Sequence, residues 1–225
     1  MDALKQIHKI RSLEQAVSLI SSGSRIMVGG FGLRGYPEDL IEALSMSDVN
    51  EITLISSDMG SPGIGLGKLL RNGQIKAIIG THFGKNSDVA DYLNQGKISV
   101  NIMPQGNFSE AIRAAAIGIP AFYSPIGVGT LLANGKEIRQ FEGVECLLER
   151  ALTADVALIK ANKSDELGNL VYYKTARNFN PLMASAAAKV IVQVDEIVPV
   201  GSIHPETIVT PHIYVDIIVK RSNNV

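Results

Sequence analysis

Residues Ile26–Pro37 read I-M-V-G-G-F-G-L-R-G-Y-P, and Gly30-Phe31-Gly32-Leu33-Arg34-Gly35 fits G-x-G-x-x-G letter for letter. After a short apolar stretch and before a helix, that pattern is the usual dinucleotide fingerprint. Its neighbours oppose the reading. In a dinucleotide site the third glycine lies inside the helix, whose N-terminus faces the pyrophosphate. Here Pro37 follows two residues after Gly35. Proline holds the preceding residue extended and fits the first helical position, so the helix starts after the loop. Glu38 and Asp39 fill the first turn of that helix. They suit the positive end of its dipole and make it a poor pyrophosphate site. Asp58, after the second strand, would have to serve as the ribose-binding carboxylate. Gly29, Gly30, Gly32 and Gly35 are still more glycine than one turn needs. Dense glycine at a strand end brings backbone N–H groups close to a ligand, or it merely supplies positive φ. On the residues alone both readings stand.

A second stretch is Met103-Pro104-Gln105-Gly106-Asn107, between a strand and a helix expected from Phe108. Asn107 suits the cap of that helix. Gln105 would then lie in the loop at the carboxyl end of the strand, where α/β sheets bind ligands. Its neutral amide suits a carboxylate or a carbonyl; a turn glutamine facing water is the plain alternative. Arg177-Asn178-Phe179-Asn180-Pro181 has the same loop-to-helix character, with a guanidinium that either meets an anion or faces solvent. Other chemistry is absent. There is no G-x-x-x-x-G-K-[ST] and no G-x-S-x-G. His8, His82, His204 and His212 are scattered, without metal-ligand spacing, so no metal is expected. Cys146, beside an apolar pair, reads as a small buried hydrophobe.

The elements that hold these stretches follow from apolar periodicity. Ser12 and Gln15 form a capping-box pattern ahead of Leu13, Ala16, Val17 and Ile20. Strands are expected at Arg25–Val28, Ile52–Ile55, Ile75–Ile79 and Ile98–Ile102. Helices are expected from Pro37, at Leu66–Arg71, at Asn86–Gln95 and at Phe108–Ile117. This alternation implies an α/β fold with a mainly parallel sheet flanked by helices. From Ala121 the texture changes, with β-type pieces at Glu137–Phe141 and Cys146–Leu148. Further strands are expected at Val156–Ile159, Val190–Val194 and Ile213–Val219, a helix at Pro181–Ala188, and a surface loop at Asn162–Asn169. No linker composition separates the halves, so residues 1–225 are expected to form a single domain.

Composition narrows the class. Hydrophobic residues are 46% and charged residues 19%, enough to build a core. A net charge of −1 without like-charge blocks gives no footprint for nucleic acid or an anionic membrane. Aromatics at 5% with no Trp argue against base-stacking surfaces. No apolar run approaches the roughly 20 residues of a membrane span. Met1–Arg11 has no apolar core of a signal peptide, and the single cysteine excludes an internal disulfide. A cytoplasmic protein is expected.

Four stretches, in order, resemble the α subunit of class I coenzyme A transferases of the acetate/acetoacetate or 3-oxoacid type. They are Ile26–Pro37, Met103–Ile112 (M-P-Q-G-N-F-S-E-A-I), Ser124–Thr130 (S-P-I-G-V-G-T) and Ala176–Pro181 (A-R-N-F-N-P). The G-G-F-x-x-x-G-x-P pattern accounts for the proline that spoils the dinucleotide reading. Two positions depart from the family: Ser22 stands where Asp or Asn is usual, and Asn107 where Thr commonly follows P-Q-G. The resemblance implies a NagB/ribose-isomerase-like fold. It implies transfer of coenzyme A between a short-chain acyl-CoA and a free carboxylic acid, with CoA as substrate and no permanently bound cofactor. Gly29, Gly30, Phe31, Gly32, Leu33, Arg34 and Gly35 would line the CoA site, and Gln105 would orient substrate. In this family a glutamate carboxylate attacks the thioester, a covalent relay that splits one hard step into easier ones. That glutamate belongs to a β subunit with a Ser-Glu-Asn-Gly type motif, which this chain lacks; Ser109-Glu110-Ala111 is the nearest sequence. The chain would thus hold no catalytic residue of its own and act only in an assembly, as α2β2. Within the class, a succinate:3-oxoacid enzyme has the same parts. From another class, a non-catalytic acyl-CoA or sugar-phosphate sensor shares the fold, but would bring a basic DNA-binding module absent here.

Overall fold

The structure is a computed structural model that describes residues 8–32 and 34–222. The chain begins with α1 (Leu13–Val17), whose Ser12 and Gln15 form the expected capping box. Then β1 (Arg25–Val28), α2 (Glu38–Ser45), β2 (Ile52–Ile55), α3 (Leu66–Arg71), β3 (Ile75–Gly80), α4 (Ser87–Asn94), β4 (Ser99–Ile102) and α5 (Gln105–Ala116) alternate. A three-stranded antiparallel sheet follows from β5 (Ala121–Ser124), β6 (Ile138–Phe141) and β7 (Val144–Arg150), in the order β5-β7-β6. The chain re-enters the main sheet with β8 (Ala154–Asp165), β9 (Leu170–Val171), α6 (Asn180–Ala184), β10 (Ala187–Val198) and β11 (Ile217–Lys220).

The main sheet runs β11-β10-β8-β1-β2-β3-β4, with every neighbouring pair parallel; β9 pairs antiparallel beside β8. Strand order reverses at β1. Successive strands move outward on one side to β4, and the chain returns to build β8, β10 and β11 on the other. The carboxyl edge beside such a reversal is where open parallel sheets bind ligands. Both faces are covered. Ile26 and Val28 of β1 pack with Leu40, Ile41 and Leu44 of α2. Met27, pointing the other way, packs with Phe108 and Ile112 of α5 and Met183 of α6. Such two-sided burial explains why the central strands β1 and β2 read as nearly continuous apolar runs, while the edge strand β4 is mostly exposed.

Several boundaries differ from the sequence-based expectation, each for a tertiary reason. Pro37 is the residue before α2, not its first. The polar stretch expected as a loop over Asn162–Asn169 is strand as far as Asp165. Its buried members are satisfied internally: Asp165 Oδ1 accepts the N–H groups of Leu167, Gly168 and Asn169 at 3.1, 2.9 and 2.9 Å. The helix expected to reach Ala188 ends at Ala184, because Ala187 already pairs with Ala154 of β8. His212–Tyr214 is a 3₁₀ turn, and the last strand starts at Ile217.

The Asp165 carboxylate is the cap of the β8–β9 turn and is 3% exposed. Asp165→Ala should lower the unfolding free energy by about 2–3 kcal/mol, since buried N–H groups lose a charged acceptor. Asp165→Asn, whose amide oxygen can accept the same N–H groups, should cost less. Denaturant unfolding of both variants checks the order.

Candidate active site

The glycine loop leaves β1 at the reversal point, and its glycines are demanded by close approach of other protein groups. A Cβ on Gly29 would lie 1.9 Å from Asn180 Oδ1. One on Gly30, whose φ is +133°, would strike the Tyr36 ring at 2.4 Å. One on Gly35 would meet Ala176 O at 2.4 Å and Asn178 Nδ2 at 2.5 Å. Gly32, with φ +62°, has nothing within 4 Å of that position. Leu33 lies outside the described residues.

The backbone N–H groups of Gly29, Gly30, Phe31, Gly32 and Arg34 are engaged within the protein. Gly29 N–H bonds Leu158 O at 3.0 Å, and Phe31 and Arg34 exchange bonds of 3.0 and 3.2 Å. Gly30 N–H donates to Asn178 Oδ1 at 3.1 Å, and Gly32 N–H to Asp58 Oδ2 at 2.8 Å. Asp58 Oδ1 accepts from the Tyr36 hydroxyl at 2.7 Å and from Gly60 N–H at 2.9 Å. The carboxylate that a dinucleotide reading would give to ribose thus ties the loop to β2's carboxyl end. Burial first, and then the Asp58 charge, hold the Tyr36 pKa far above its ordinary value, so the hydroxyl remains a donor.

The A-R-N-F-N-P stretch closes the loop from the other side. Asn178 Nδ2 donates to Arg34 O at 3.1 Å. Asn180 Nδ2 donates to Gly35 O at 3.0 Å, while its Oδ1 accepts Lys160 N–H of β8 at 2.8 Å. Phe179, between the two asparagines, meets Phe31 at 6.4 Å and Phe108 of α5 at 5.5 Å between ring centroids. Arg177 is exposed, in a 3₁₀ turn.

A cavity of about 470 Å³ opens at the carboxyl ends of β1 to β4. Its walls include Phe31 and Gly32, Ser57 and Asp58, His82 and Lys85, and Met103 to Gln105. The first and second sequence stretches therefore meet in one cavity, through Phe31, Gly32 and Gln105. Gly29, Gly30 and Arg34 are not among its walls; Arg34 and Gly35 face a separate hollow of about 350 Å³ beside Lys160 and Asp195. The glycine loop is the partition between the two. In the smaller hollow, burial lowers the Lys160 pKa against the opposing pull of Asp195, 2.6 Å away.

Gln105 is not in a loop. It is the first residue of α5, with Pro104 as the preceding cap residue. Asn107 does not cap; it is buried in the first turn, and its amide serves Glu149 and Ser124. No side chain caps this helix, so its first N–H groups, beginning with Gln105 at the cavity wall, carry the positive end of its dipole uncapped. Asp58 is the one carboxylate among the cavity's described walls, and both its oxygens already accept hydrogen bonds. Glu110 lies on the outer face of α5, paired with Arg113 at 2.8 Å. No metal-binding cluster of His, Cys, Asp or Glu occurs among the described residues, nor any helix long and apolar enough to cross a membrane. Sequence reasoning gave no role to Tyr36 or to either asparagine; Gly29 faces Asn180, Gly30 faces Tyr36 and Gly35 faces Asn178, pairings that no local pattern announces.

Comparison with known proteins gives this arrangement its context. The family described as Coenzyme A transferase matches residues 10–221. The A-subunit of succinyl-CoA:3-ketoacid coenzyme A transferase from Helicobacter pylori is 48% identical over 211 residues, covering 94% of this chain and 91% of that protein. The A-subunit of 3-oxoadipate CoA-transferase from Pseudomonas putida is 48% identical over 214 residues, 94% of this chain and 92% of its own length. Among solved structures, an acyl-CoA transferase from Escherichia coli O157:H7, a thioester complex with CoA, superposes with a TM-score of 0.88 at 24% identity. It covers all of this chain, which spans about half (49%) of that longer one; at this identity the likeness speaks for the fold.

The packing separates two kinds of glycine. Gly29→Ala should cost about 3 kcal/mol or more, because the new methyl overlaps Asn180. Gly32→Ala should cost only about 1–2 kcal/mol, the penalty for a left-handed non-glycine residue. Thermal or denaturant unfolding of the two variants should rank them in that order.

Proposed function

The chain belongs to the coenzyme A transferase family, and from that premise we propose that it is the α subunit of an enzyme moving coenzyme A between an acyl-CoA and a free carboxylic acid. The names of its relatives favour a succinyl-CoA donor and a 3-oxo acid acceptor over the acetate or butyrate type. One observation carries the reading. The cavity at the carboxyl edge is lined by Gln105 at the uncapped start of α5, while the one carboxylate among its described walls is engaged. It can receive a carbonyl oxygen and hold it, but among its described residues no free carboxylate attacks. The family resemblance supplies the nucleophile that this cavity lacks: a glutamate of a β subunit, carried in a Ser-Glu-Asn-Gly type motif.

In this scheme a carboxylate oxygen of that glutamate adds to the thioester carbonyl. The C–S bond breaks, CoA leaves as thiolate, and an acyl-glutamyl anhydride remains. The thiolate then takes the glutamyl carbon and releases the first acid; the acceptor acid reverses both steps. CoA is substrate throughout and no permanent cofactor is required. Each tetrahedral intermediate carries an oxyanion. Gln105 Nε2 and the first N–H groups of α5 are this chain's donors to it, in a site from which the partner excludes water. Phe31 and Gly32 form the wall along which the CoA chain lies. Gly29, Gly30, Arg34 and Gly35 support that wall. We place residues 1–225 as one domain, in an α2β2 assembly, in the cytoplasm.

Gln105→Ala should lower kcat on the order of 10²-fold, the scale for losing one oxyanion donor, with assembly intact. Unchanged turnover together with unchanged KM for the acid would return Gln105 to a surface role. The second outcome concerns the missing half. The chain purified alone should not exchange CoA between succinyl-CoA and acetoacetate, and adding the β subunit should restore exchange. Activity that persists in the isolated chain after removal of every co-purifying protein would overturn the proposal.

A further inference from the structure

Asn107 sits in the first turn of α5, two residues beyond Gln105, and is 4% exposed. Its amide is engaged at both ends. Nδ2 donates to Glu149 Oε1 at 3.1 Å and more weakly to Ile126 O at 3.4 Å. Oδ1 accepts from Ser124 Oγ at 2.8 Å. Glu149, 3% exposed, also receives Lys136 Nζ on its two oxygens at 2.8 and 2.9 Å. None of these groups has a part in the chemistry above. All of Asn107's partners lie on the three-stranded sheet or its connecting loops: Ser124 ends β5, Ile126 follows it in the loop and Glu149 is in β7, while Lys136, Glu149's own partner, precedes β6. The network is thus a polar fastening between the first turn of α5 and the small sheet.

A buried carboxylate and its ammonium partner carry a heavy desolvation cost, and apolar packing can hold a helix without it. What apolar packing does not supply is direction. The Phe108, Ala111 and Ile112 face holds α5 against the core, but side chains at a helix N-terminus swing with small rotations of the first turn. We infer that Lys136, Glu149, Asn107 and Ser124 form a positioning device that fixes the first turn of α5 and thereby aims Gln105 into the cavity. The inference rests on the role given to Gln105 above. It has a specific chemical consequence. Position 107 must donate to Glu149 and accept from Ser124 at once. An amide does so with two atoms, and a hydroxyl can do so with one. Valine has the shape of threonine and does neither.

The experiment compares Asn107→Thr and Asn107→Val in the assembled complex, each alone and combined with Gln105→Ala. Asn107→Thr should retain turnover to within a few-fold as the conservative rescue. Asn107→Val should lose about tenfold in kcat, the scale of coupling between neighbouring residues, with KM for acyl-CoA unchanged. In the Gln105→Ala background the difference between Thr and Val should vanish. Folded and assembled fractions are measured in parallel by thermal unfolding and size-exclusion chromatography. The inference is overturned if Val turns over as fast as Thr or if the difference survives intact without Gln105. It is equally overturned if lost activity only tracks lost folded protein. Gln105→Ala with wild-type turnover would instead overturn the role of Gln105 itself, and the device with it.

Discussion

The site depends on one steric constraint: two asparagine side chains cross the backbone that leaves β1 with no room for a Cβ between. Asn180 Oδ1 lies 1.9 Å from where a Gly29 Cβ would be. From that position the same amide bonds β8 through Lys160 N–H and the glycine loop through Gly35 O. Asn178 performs the matching task on Gly30 N–H and Arg34 O, at φ +24° and ψ −123°, outside the left-handed helical basin that asparagine usually visits. The strand-order reversal separates β1's loop from α6 by more than a hundred residues of chain. The two amides rejoin them. Any side chain at Gly29 or Gly35 would push the asparagines out and leave buried backbone groups without partners.

From this junction the rest of the site is set by contact. Phe179 stands between the asparagines, so fixing them fixes its ring. The ring packs edge-on against Phe108 of α5 and tilted against Phe31 at the cavity. Phe108 adjoins Asn107, whose amide reaches the small sheet at Ser124 and Glu149. The four sequence stretches are therefore one connected object. The first and fourth are joined by amide-to-backbone bonds, the fourth and second by aromatic packing, the second and third by a buried polar network. Asp58 and Tyr36 complete the wall on the β2 side.

How much of this could be read from sequence follows from which forces are local. The parallel strands and most helices are legible because burial on both sheet faces forces apolar runs between glycine punctuation. β1, β2 and α3 match their sequence-based bounds residue for residue. The start of α5 is not legible. Gln-Gly-Asn after proline carries turn and cap preferences, and these lose to a hydrogen bond from Asn107 to Glu149, 42 residues away. Asn162 to Asp165 fails likewise, since a strand of such polar residues depends on acceptors formed by the fold. Asp58 was visible only as an acidic residue after a strand; its bond to Gly32 spans 26 residues. Gly29, Gly30 and Gly35 were legible as unusual, but the sequence could not say whether a ligand or the protein filled the space beside them.

That last distinction bears on what a glycine motif means. Loops of this kind invite the reading that bare backbone is kept for a ligand. Here Gly29, Gly30, Phe31, Gly32 and Arg34 each donate to protein acceptors, so the loop is no open anion nest. These five donors are consumed in building a wall, and among the loop's described residues only Phe31 and Gly32 turn to the cavity. The uncapped donors stand across that cavity at the start of α5, where a proline cap leaves the first N–H groups without a capping side chain. A chain so arranged offers neutral donors and a shaped wall to the carbonyl of the proposed reaction, and keeps its own carboxylate out of reach by binding it three times over. That is the complement that the proposed mechanism, with its reactive carboxylate on a β subunit, asks of this surface: a second free carboxylate in the cavity would repel the incoming one and raise its pKa.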